Sequence, residues 1–159
     1  MILIDLGWWR ASFQLARNSE VEIKKEKEMI GDKVVIKYGR VERIRDTVMK
    51  IFGQRVPADV QYWIGRNVEN IARAVKPYEE ERISIIKQFG IQQIDSGEYL
   101  MDPENKQLKA LMNKEVEVTI YKIEIEKLSN VNLTQAEIRA IDFMLCEEKL
   151  IKVASQIIQ

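Results

Sequence analysis

The chain has 159 residues, of which 46% are hydrophobic and 31% are charged, a size and composition typical of one globular domain. Its 25 basic and 25 acidic residues give a formal net charge of zero, so it lacks the overall field that holds nucleic acid or an anionic membrane. Histidine is absent, and the single Cys146 excludes internal disulfides and cysteine-rich zinc sites. We therefore expect no cofactor and no metal site.

No apolar run approaches the ~20 residues that a membrane-spanning helix needs. The short apolar start, Met1 to Leu6, is interrupted by Asp5 and has no basic leader, which disfavours a secretory signal. The sequence therefore predicts a cytoplasmic protein with no membrane partner.

Residues 1–28 show no sustained hydrophobic period and end in the charged run KKEKE. Because Lys and Glu codons are purine-rich, this run could be a translated ribosome-binding site, with Met29 as the true start. We expect residues 1–28 to be a non-native or flexible extension and residues 29–159 to be a single α+β domain. The alternative is a strand from Val21 to Lys27 that pairs with the next strand through a turn at Gly31-Asp32.

The first half of the domain has one strand pattern followed by two helix patterns. Alternating side chains predict a strand from Lys33 to Tyr38, ended by Gly39. Helical spacing then predicts a first helix from Val41 to Phe52, with Gly53 as its C-cap. The connection to Pro57 is short enough for an antiparallel helical hairpin. The second helix is long, and its apolar residues recur at helical spacing: Val60, Ile64, Val68, Ile71 and Val75.

Pro77 lies inside this second helix, where it removes one hydrogen bond, so we expect a kink or a restart near Val75. Three glutamates, Glu79 to Glu81, would then occupy a first turn, where the helix dipole favours them. A carboxylate metal site is the alternative, but consecutive helical residues point in different directions. The apolar face is expected to continue to Gly90 through Ile83, Ile86 and Phe89.

The next segment predicts a turn, a short strand, a helix and a longer strand. The turn is Asp95-Ser96-Gly97, and the short strand is Tyr99 to Met101. Asp102 and Pro103 are placed to cap and begin a helix that runs to about Lys114. Its inward residues are expected to be Leu108, Leu111 and Met112. Alternation at Val116, Val118 and Ile120 predicts the strand, and a bulge or bend near Tyr121-Lys122 would restore register with Ile123 and Ile125.

The last helix has the clearest start signals in the chain. Thr134 is the predicted N-cap, Glu137 closes a capping box, and Leu133 with Ile138 forms a hydrophobic staple. Its buried residues are expected to be Ile138, Ile141 and Leu145, with Cys146 on the same helix as a buried structural thiol. Leu150 to Val153 could add an edge strand or fray as a tail. The predicted fold is α+β: a helical hairpin with a long kinked second helix on a small antiparallel sheet, plus a C-terminal helix.

No pattern selects a catalytic, cofactor-binding or metal-binding residue. The seven glycines form no Walker loop, dinucleotide pattern or nucleophile elbow. Aromatic and basic residues mix on the long helix, but Trp63 lies beside the inner face and is expected to be core. Arg66 and Arg73 remain as a modest exposed basic edge, which is too little for DNA binding.

Three stretches together resemble a known family. They are KPYEEERISIIKQFG, MNKEVEVTIYKIEIEKL and LTQAEIRAIDFML, within a region from about Lys33 to Glu148. The region resembles DUF1617, a family of uncharacterised proteins from tailed phages and prophages of Gram-positive bacteria. Its most specific parts are YEEER at Tyr78 to Arg82 and EVEV at Glu115 to Val118. The resemblance implies a phage or prophage origin and no mechanism, and residues 1–28 are extraneous to it.

These observations favour a non-enzymatic phage accessory protein that binds another phage or host protein through the outer face of the helical hairpin. The first alternative is a nucleic-acid-associated regulator that uses Lys50, Arg55, Arg66 and Arg73. The second is an enzyme that uses Glu79 to Glu81 with a divalent ion. Surplus apolar width on the long helix is also compatible with a homodimer.

Overall fold

The computed structural model describes residues 2–4 and 30–146. These residues form an α+β fold of four α-helices and two small antiparallel sheets, which confirms the predicted fold class. The proposed start at Met29, the alternative strand at Val21 to Lys27 and the segment Leu150 to Val153 lie outside the described residues.

The first sheet pairs β2 (Asp32–Lys37) with β5 (Glu115–Ile120) in antiparallel register. Val34 faces Val118, and Ile36 faces Val116. The alternation along both strands buries one face, which includes Val118 and Ile120, and leaves the other in solvent. This confirms the predicted alternation of side chains in both strands, because a sheet with one solvent-exposed face has apolar residues at every second position of its strands.

The long helix α2 (Ala58–Phe89) lies against β5 and supplies one wall of the core. Most of its predicted apolar face is buried, but Val68 and Ile83 are half-buried and Phe89 is exposed. Burying a Val or Ile side chain contributes roughly 1.5–3 kcal/mol, so this face accounts for much of the stability of the domain.

One polar residue interrupts the apolar face of α2. Asn67 is fully buried, with 0% exposure. Its side-chain oxygen accepts a hydrogen bond from the Tyr121 N–H at 2.7 Å, and its side-chain nitrogen donates to the Tyr121 carbonyl oxygen at 2.9 Å. The side chain therefore pairs the backbone at the end of β5 as a neighbouring strand would. One turn further along, Asn70 donates to the Thr119 carbonyl oxygen at 2.9 Å.

The helix α1 (Val41–Phe52) follows β2 through a 3-10 turn at Tyr38–Arg40, and α4 (Gln135–Ile141) packs beside it. Polar contacts join the two helices. Lys50 Nζ lies 2.9 Å from a Glu137 carboxylate oxygen, and the Arg40 guanidinium donates to the carbonyl oxygen of Arg139 at 2.8 Å. The chain connects α1 to α2 through the short link predicted for a helical hairpin, but α1 packs more extensively on α4 than on α2.

The predicted capping box at the start of α4 is present. The Thr134 hydroxyl accepts from the Glu137 N–H at 3.2 Å, and the Glu137 carboxylate accepts from the Thr134 N–H at 2.7 Å. Leu133 and Ile138 both pack against the core, as the predicted staple requires.

The second sheet has the order β1–β4–β3, and its neighbouring strands are antiparallel. Its strands are β1 (Ile2–Ile4), β3 (Ile91–Gln92) and β4 (Tyr99–Met101). The hairpin between β3 and β4 contains the predicted turn, where Gly97 adopts a left-handed backbone with φ of 70°. The short helix α3 (Lys106–Met112) then leads into β5, with Leu108 and Leu111 buried.

The predicted start of α3 at Asp102 is wrong. Asp102 instead accepts a hydrogen bond from the Glu104 N–H at 2.9 Å, which closes a turn before the helix. Asn105 is the N-cap, since its side-chain oxygen accepts from the N–H groups of Gln107 and Leu108 at 3.0 and 3.1 Å. Two capping residues compete within four positions, and the pair of bonds at Asn105 sets the start of the helix.

The predicted restart of α2 at Pro77 is also wrong, because the helix continues without interruption from Ala58 to Phe89. Pro77 lies on the exposed side, while Val75 and Ile86 on either side of it are fixed in the core at 0% exposure. Packing of the flanking residues outweighs the one hydrogen bond that proline removes. The kink itself stays a prediction.

The end of β5 and the position of Cys146 differ from the predictions as well. β5 ends at Ile120, and Asn67 binds the backbone of the next residue, so no bulge carries the strand on to Ile123; the predicted bend at Tyr121-Lys122 stays a prediction. The helix α4 ends at Ile141, so Cys146 lies beyond it and is half-buried. Its N–H donates to the Ile123 carbonyl oxygen at 3.0 Å, which ties the two segments together.

Substitution of Asn67 should reveal how much stability the clamp on β5 provides. We expect Asn67→Ala to lower the free energy of unfolding by about 2–5 kcal/mol, because it leaves both backbone groups of the half-buried Tyr121 without their hydrogen-bond partners. Asn70→Ala, which removes an exposed bond to the same strand, should cost no more than about 1 kcal/mol. Urea unfolding of both variants measures the difference, and equal losses would contradict a special role for Asn67.

Candidate functional site

The segment Tyr78 to Arg82 brings together the densest set of polar contacts around the buried end of β2. Tyr78 stacks on Tyr38, with ring centroids 5.7 Å apart. A Glu81 carboxylate oxygen lies 2.8 Å from Lys114 Nζ, which also sits over the Tyr78 ring at 5.9 Å from its centroid. The YEEER segment therefore joins α2 to the 3-10 turn after β2 and to the start of β5.

Tyr38 is the buried member of this cluster, with only 2% of its surface exposed. Gly39 makes its position possible, because a Cβ atom there would lie 2.9 Å from the Met112 carbonyl oxygen. The absence of a side chain lets the turn approach the end of α3 closely. Tyr38 is thereby placed between α2 and α3.

Two polar atoms in this cluster have no hydrogen-bond partner, the Tyr38 hydroxyl and Arg82 Nε. Burial, and secondarily the nearby Glu79 carboxylate, raises the pKa of Tyr38 well above its usual value of 10.0. Glu79 thus acts on the phenol electrostatically, although the hydroxyl does not reach an acceptor in hydrogen-bond geometry. The Tyr38 side chain is a neutral donor at physiological pH.

Arg82 has one ionic partner here, Glu79, at 3.5 Å between Nη1 and a carboxylate oxygen. That distance is longer than the 2.7–2.9 Å typical of a charge-assisted hydrogen bond. Both side chains are about four-fifths buried, at 19% and 18% exposure. The pair is therefore desolvated without close contact, an arrangement that leaves arginine donors unused.

A pocket of about 460 Å³ opens beside Arg82, within the ~300–1,000 Å³ range of small-molecule sites. Its lining includes the apolar side chains of Pro103, Leu108 and Met112 together with the charged Glu42 and Lys109. The arrangement combines an apolar cavity with an underused guanidinium. It is a candidate for a ligand site in the described part of the chain.

The three consecutive glutamates have separate surroundings. Glu79 lies against Arg82, Glu81 pairs with Lys114, and Glu80 is exposed. Within residues 2–4 and 30–146, no group of three or more acidic or cysteine side chains is arranged to hold a metal ion. The helical geometry that separates neighbouring side chains keeps these acids from forming one site.

The four basic residues of the nucleic-acid alternative are not gathered into a patch of free cations. Lys50 is paired with Glu137, and Arg66 lies 3.4 Å from a Glu69 carboxylate oxygen. Arg55 and Arg73 are exposed. Trp63, expected to be core, is half-buried and packs on Tyr121 with ring centroids 4.7 Å apart.

An apolar surface stands at the other end of α2. Phe89, Ile91 and Ile94 are exposed by 43%, 61% and 100%. The predicted inward position of Phe89 is wrong, since Ile85 and Ile86 fill the core where the helix ends. We call these three side chains the hairpin surface, because two of them belong to the strand β3 and its turn. Large apolar side chains so close in sequence are unusual on a free surface.

The sequence could not have placed the pocket. Its residues come from α1, α2, the turn before α3 and α3 itself, and neither Arg82 nor Lys109 has a distinctive spacing. The closest signal is YEEER at Tyr78 to Arg82, whose glutamates the sequence explains as a helix first turn or an alternative metal site, with nothing that singles out Arg82. The hairpin surface had a visible signal, because Ile91 and Ile94 follow the helix-ending Gly90 in a loop.

Among the described residues, no helix combines the length and the apolar character that crossing a bilayer requires. Comparison of the chain with protein-family models, with curated proteins and with solved structures gives no significant match. The resemblance to DUF1617 therefore stays a prediction.

The raised pKa of Tyr38 gives a test of this cluster. As the pH rises, the Tyr38 phenol ionises in the unfolded chain before it ionises in the folded protein. The stability that this pKa difference gives the folded protein is therefore fully present below the usual pKa of 10.0 and is lost as the pH rises above it. Tyr38→Phe should change the free energy of unfolding near neutral pH by no more than about 1 kcal/mol, since the hydroxyl has no partner.

At about pH 11 the same variant should show a smaller loss of stability than the parent protein. Urea unfolding at both pH values measures this, with Tyr62→Phe as the control on a half-buried tyrosine outside the cluster. If the free energy of unfolding falls as much in Tyr38→Phe as in the parent protein between neutral pH and about pH 11, the raised pKa of Tyr38 is contradicted.

Proposed function

We propose that this protein is a phage- or prophage-encoded accessory protein that acts by binding another protein, either in virion assembly or against a host component in the host cytoplasm. Two observations support the proposal. The resemblance to DUF1617 supports the phage setting, and the hairpin surface supports protein binding.

The hairpin surface carries the proposal. Its three side chains expose apolar area that water solvates poorly, and burial against a partner would contribute about 25 cal/mol per Å². The adjoining strand β3 is at the edge of its sheet in the order β1–β4–β3. An edge strand offers backbone donors and acceptors to an incoming chain.

The chemistry of the surface favours one kind of partner. A protein that presents an extended segment with alternating apolar side chains can add to β3 and cover Ile91 and Ile94 together. The outer face of α1 and α2, which the sequence favoured as the binding surface, is less suited, because its charged side chains pair with one another, as Arg66 does with Glu69. We therefore place the contact on the hairpin surface.

The test is affinity purification of the tagged protein from phage-infected cells in three forms. The first is the parent protein, the second carries Phe89→Ser, Ile91→Thr and Ile94→Ser, and the third carries Ile30→Ser and Val35→Thr. The third form is a matched control, because Ile30 and Val35 are also exposed, by 90% and 59%, but lie away from the hairpin surface: Val35 is in β2 of the other sheet, and Ile30 comes two residues before that strand.

We expect a partner that the parent and the control retain and that the triple variant loses, with a fall in affinity of at least about tenfold. All three forms should have the same unfolding midpoint, since the replaced side chains are exposed. A partner that the triple variant also retains would overturn the placement. Absence of any partner, together with turnover of substrates by the purified protein, would overturn protein binding as the function.

A further inference from the structure

We propose that the pocket beside Arg82 binds a small organic carboxylate, a molecule with an apolar body and one anionic group. This inference goes beyond protein binding and does not depend on it, because the pocket and the hairpin surface share no residue. Three features of the pocket support it.

The first feature is the unused hydrogen-bonding capacity of Arg82. A guanidinium has five N–H donors. Here its ionic partner Glu79 is 3.5 Å away, and Nε has no acceptor although it is buried. Arginine is the side chain best suited to hold a carboxylate through two parallel hydrogen bonds. A carboxylate in the pocket would give these donors a close acceptor.

The second feature is the match between the walls and an apolar body. Leu108, Met112 and Pro103 line the cavity, and its volume of about 460 Å³ admits an aromatic ring or a branched aliphatic chain. Lys109 also lines the cavity, but its ammonium group already pairs with the Glu104 carboxylate. The Glu42 carboxylate is also present, and it lies 3.8 Å from the Arg45 guanidinium. Arg82 is therefore the lining cation that lacks a close partner, and the Glu42 and Glu79 carboxylates near it favour a single negative charge over a dianion.

The third feature is that binding would satisfy both unpartnered atoms at once. If Arg82 turns towards a bound carboxylate, its Nε gains an acceptor, and the Glu79 carboxylate keeps acceptor sites for a further donor. The Tyr38 hydroxyl is a buried, unpartnered donor on which the Glu79 charge already acts. The Tyr38 O–H then donates to Glu79 while the Arg82 N–H groups donate to the ligand.

The experiment is a titration of the full chain, labelled with ¹⁵N, followed by two-dimensional NMR. The probes are phenylacetate, phenyl phosphate and the neutral phenylacetamide. We expect phenylacetate to shift the amide signals of residues 108–113 in a saturable way below about 20 mM. Phenylacetamide and phenyl phosphate should bind at least about threefold more weakly than phenylacetate.

Arg82→Gln should weaken phenylacetate binding by about tenfold or more, the usual effect of losing hydrogen bonds to a charged group. Arg66→Gln is the matched control, because Arg66 also pairs with a glutamate three residues away on α2 but lies outside the pocket. Lys109→Gln, at a side chain that is 52% exposed, should weaken binding by about two- to fivefold and keeps the test informative if Arg82→Gln does not fold.

Several results would overturn the proposal. Absence of saturable shifts with phenylacetate would exclude the site, and equal binding by Arg82→Gln and Arg66→Gln would exclude Arg82 as the anchor. Equal binding of phenylacetamide would show an apolar cavity without carboxylate recognition. Tighter binding of phenyl phosphate would replace the carboxylate with a phosphate ester. None of these results bears on the hairpin surface, so failure here is distinguishable from failure of protein binding.

Discussion

The buried amide of Asn67 holds the long helix to the sheet, and the rest of the fold depends on that attachment. A single side chain supplies both a donor and an acceptor to the backbone of Tyr121, so α2 completes the edge of β5 instead of only covering its face. Burial of an amide is costly unless all its groups are paired. Both bonds form only at one rotation of α2 about its axis and one position along it. Asn67 therefore fixes the position of α2 relative to β5, which apolar contacts alone would define less sharply.

The same fixed helix accounts for the crowded cluster at Tyr78 to Arg82, in its second half. With α2 anchored on β5, Tyr78 is brought over Tyr38, and Glu81 is brought to Lys114 at the start of β5. Gly39 then allows the turn after β2 to touch the end of α3. This crowding leaves two buried polar atoms without hydrogen-bond partners, the Tyr38 hydroxyl and Arg82 Nε. Such unsatisfied atoms are uncommon in folded proteins and mark places where a further partner can bind.

Local sequence patterns predicted the elements well, because the forces behind them are local. Alternation in β5, the apolar face of α2 and the capping box at Thr134 each depend on residues within a few positions of one another. The failures had different causes. The start of α3 depended on a local choice between two capping residues, whereas the end of β5 lies where Tyr121 contacts Asn67, which is 54 residues away. Pro77 predicted a restart because its position on the exposed side of α2 could not be known.

The pocket is hidden from sequence analysis for a related reason. Leu108 and Met112 are spaced as the buried face of any helix, and the half-buried Met112 has a cavity beside it only because α1 and α2 do not fill that side. No one-dimensional pattern records such incomplete filling. By contrast, exposed isoleucines after a helix-ending glycine are visible in the sequence, and only their degree of exposure needed the structure.

The position of the two surfaces on one helix has a physical consequence. Arg82 and Phe89 are seven residues apart on α2, which at 1.5 Å per residue is roughly 10 Å along the axis. Between them Ile85 and Ile86 are buried, so this part of α2 is fixed in the core. A ligand that draws the Arg82 side chain into the pocket therefore acts on a rigid element, and small changes at Arg82 can reach the hairpin surface only if the helix moves as a body. Since Asn67 opposes such movement, the geometry favours two sites that work independently over two that are coupled.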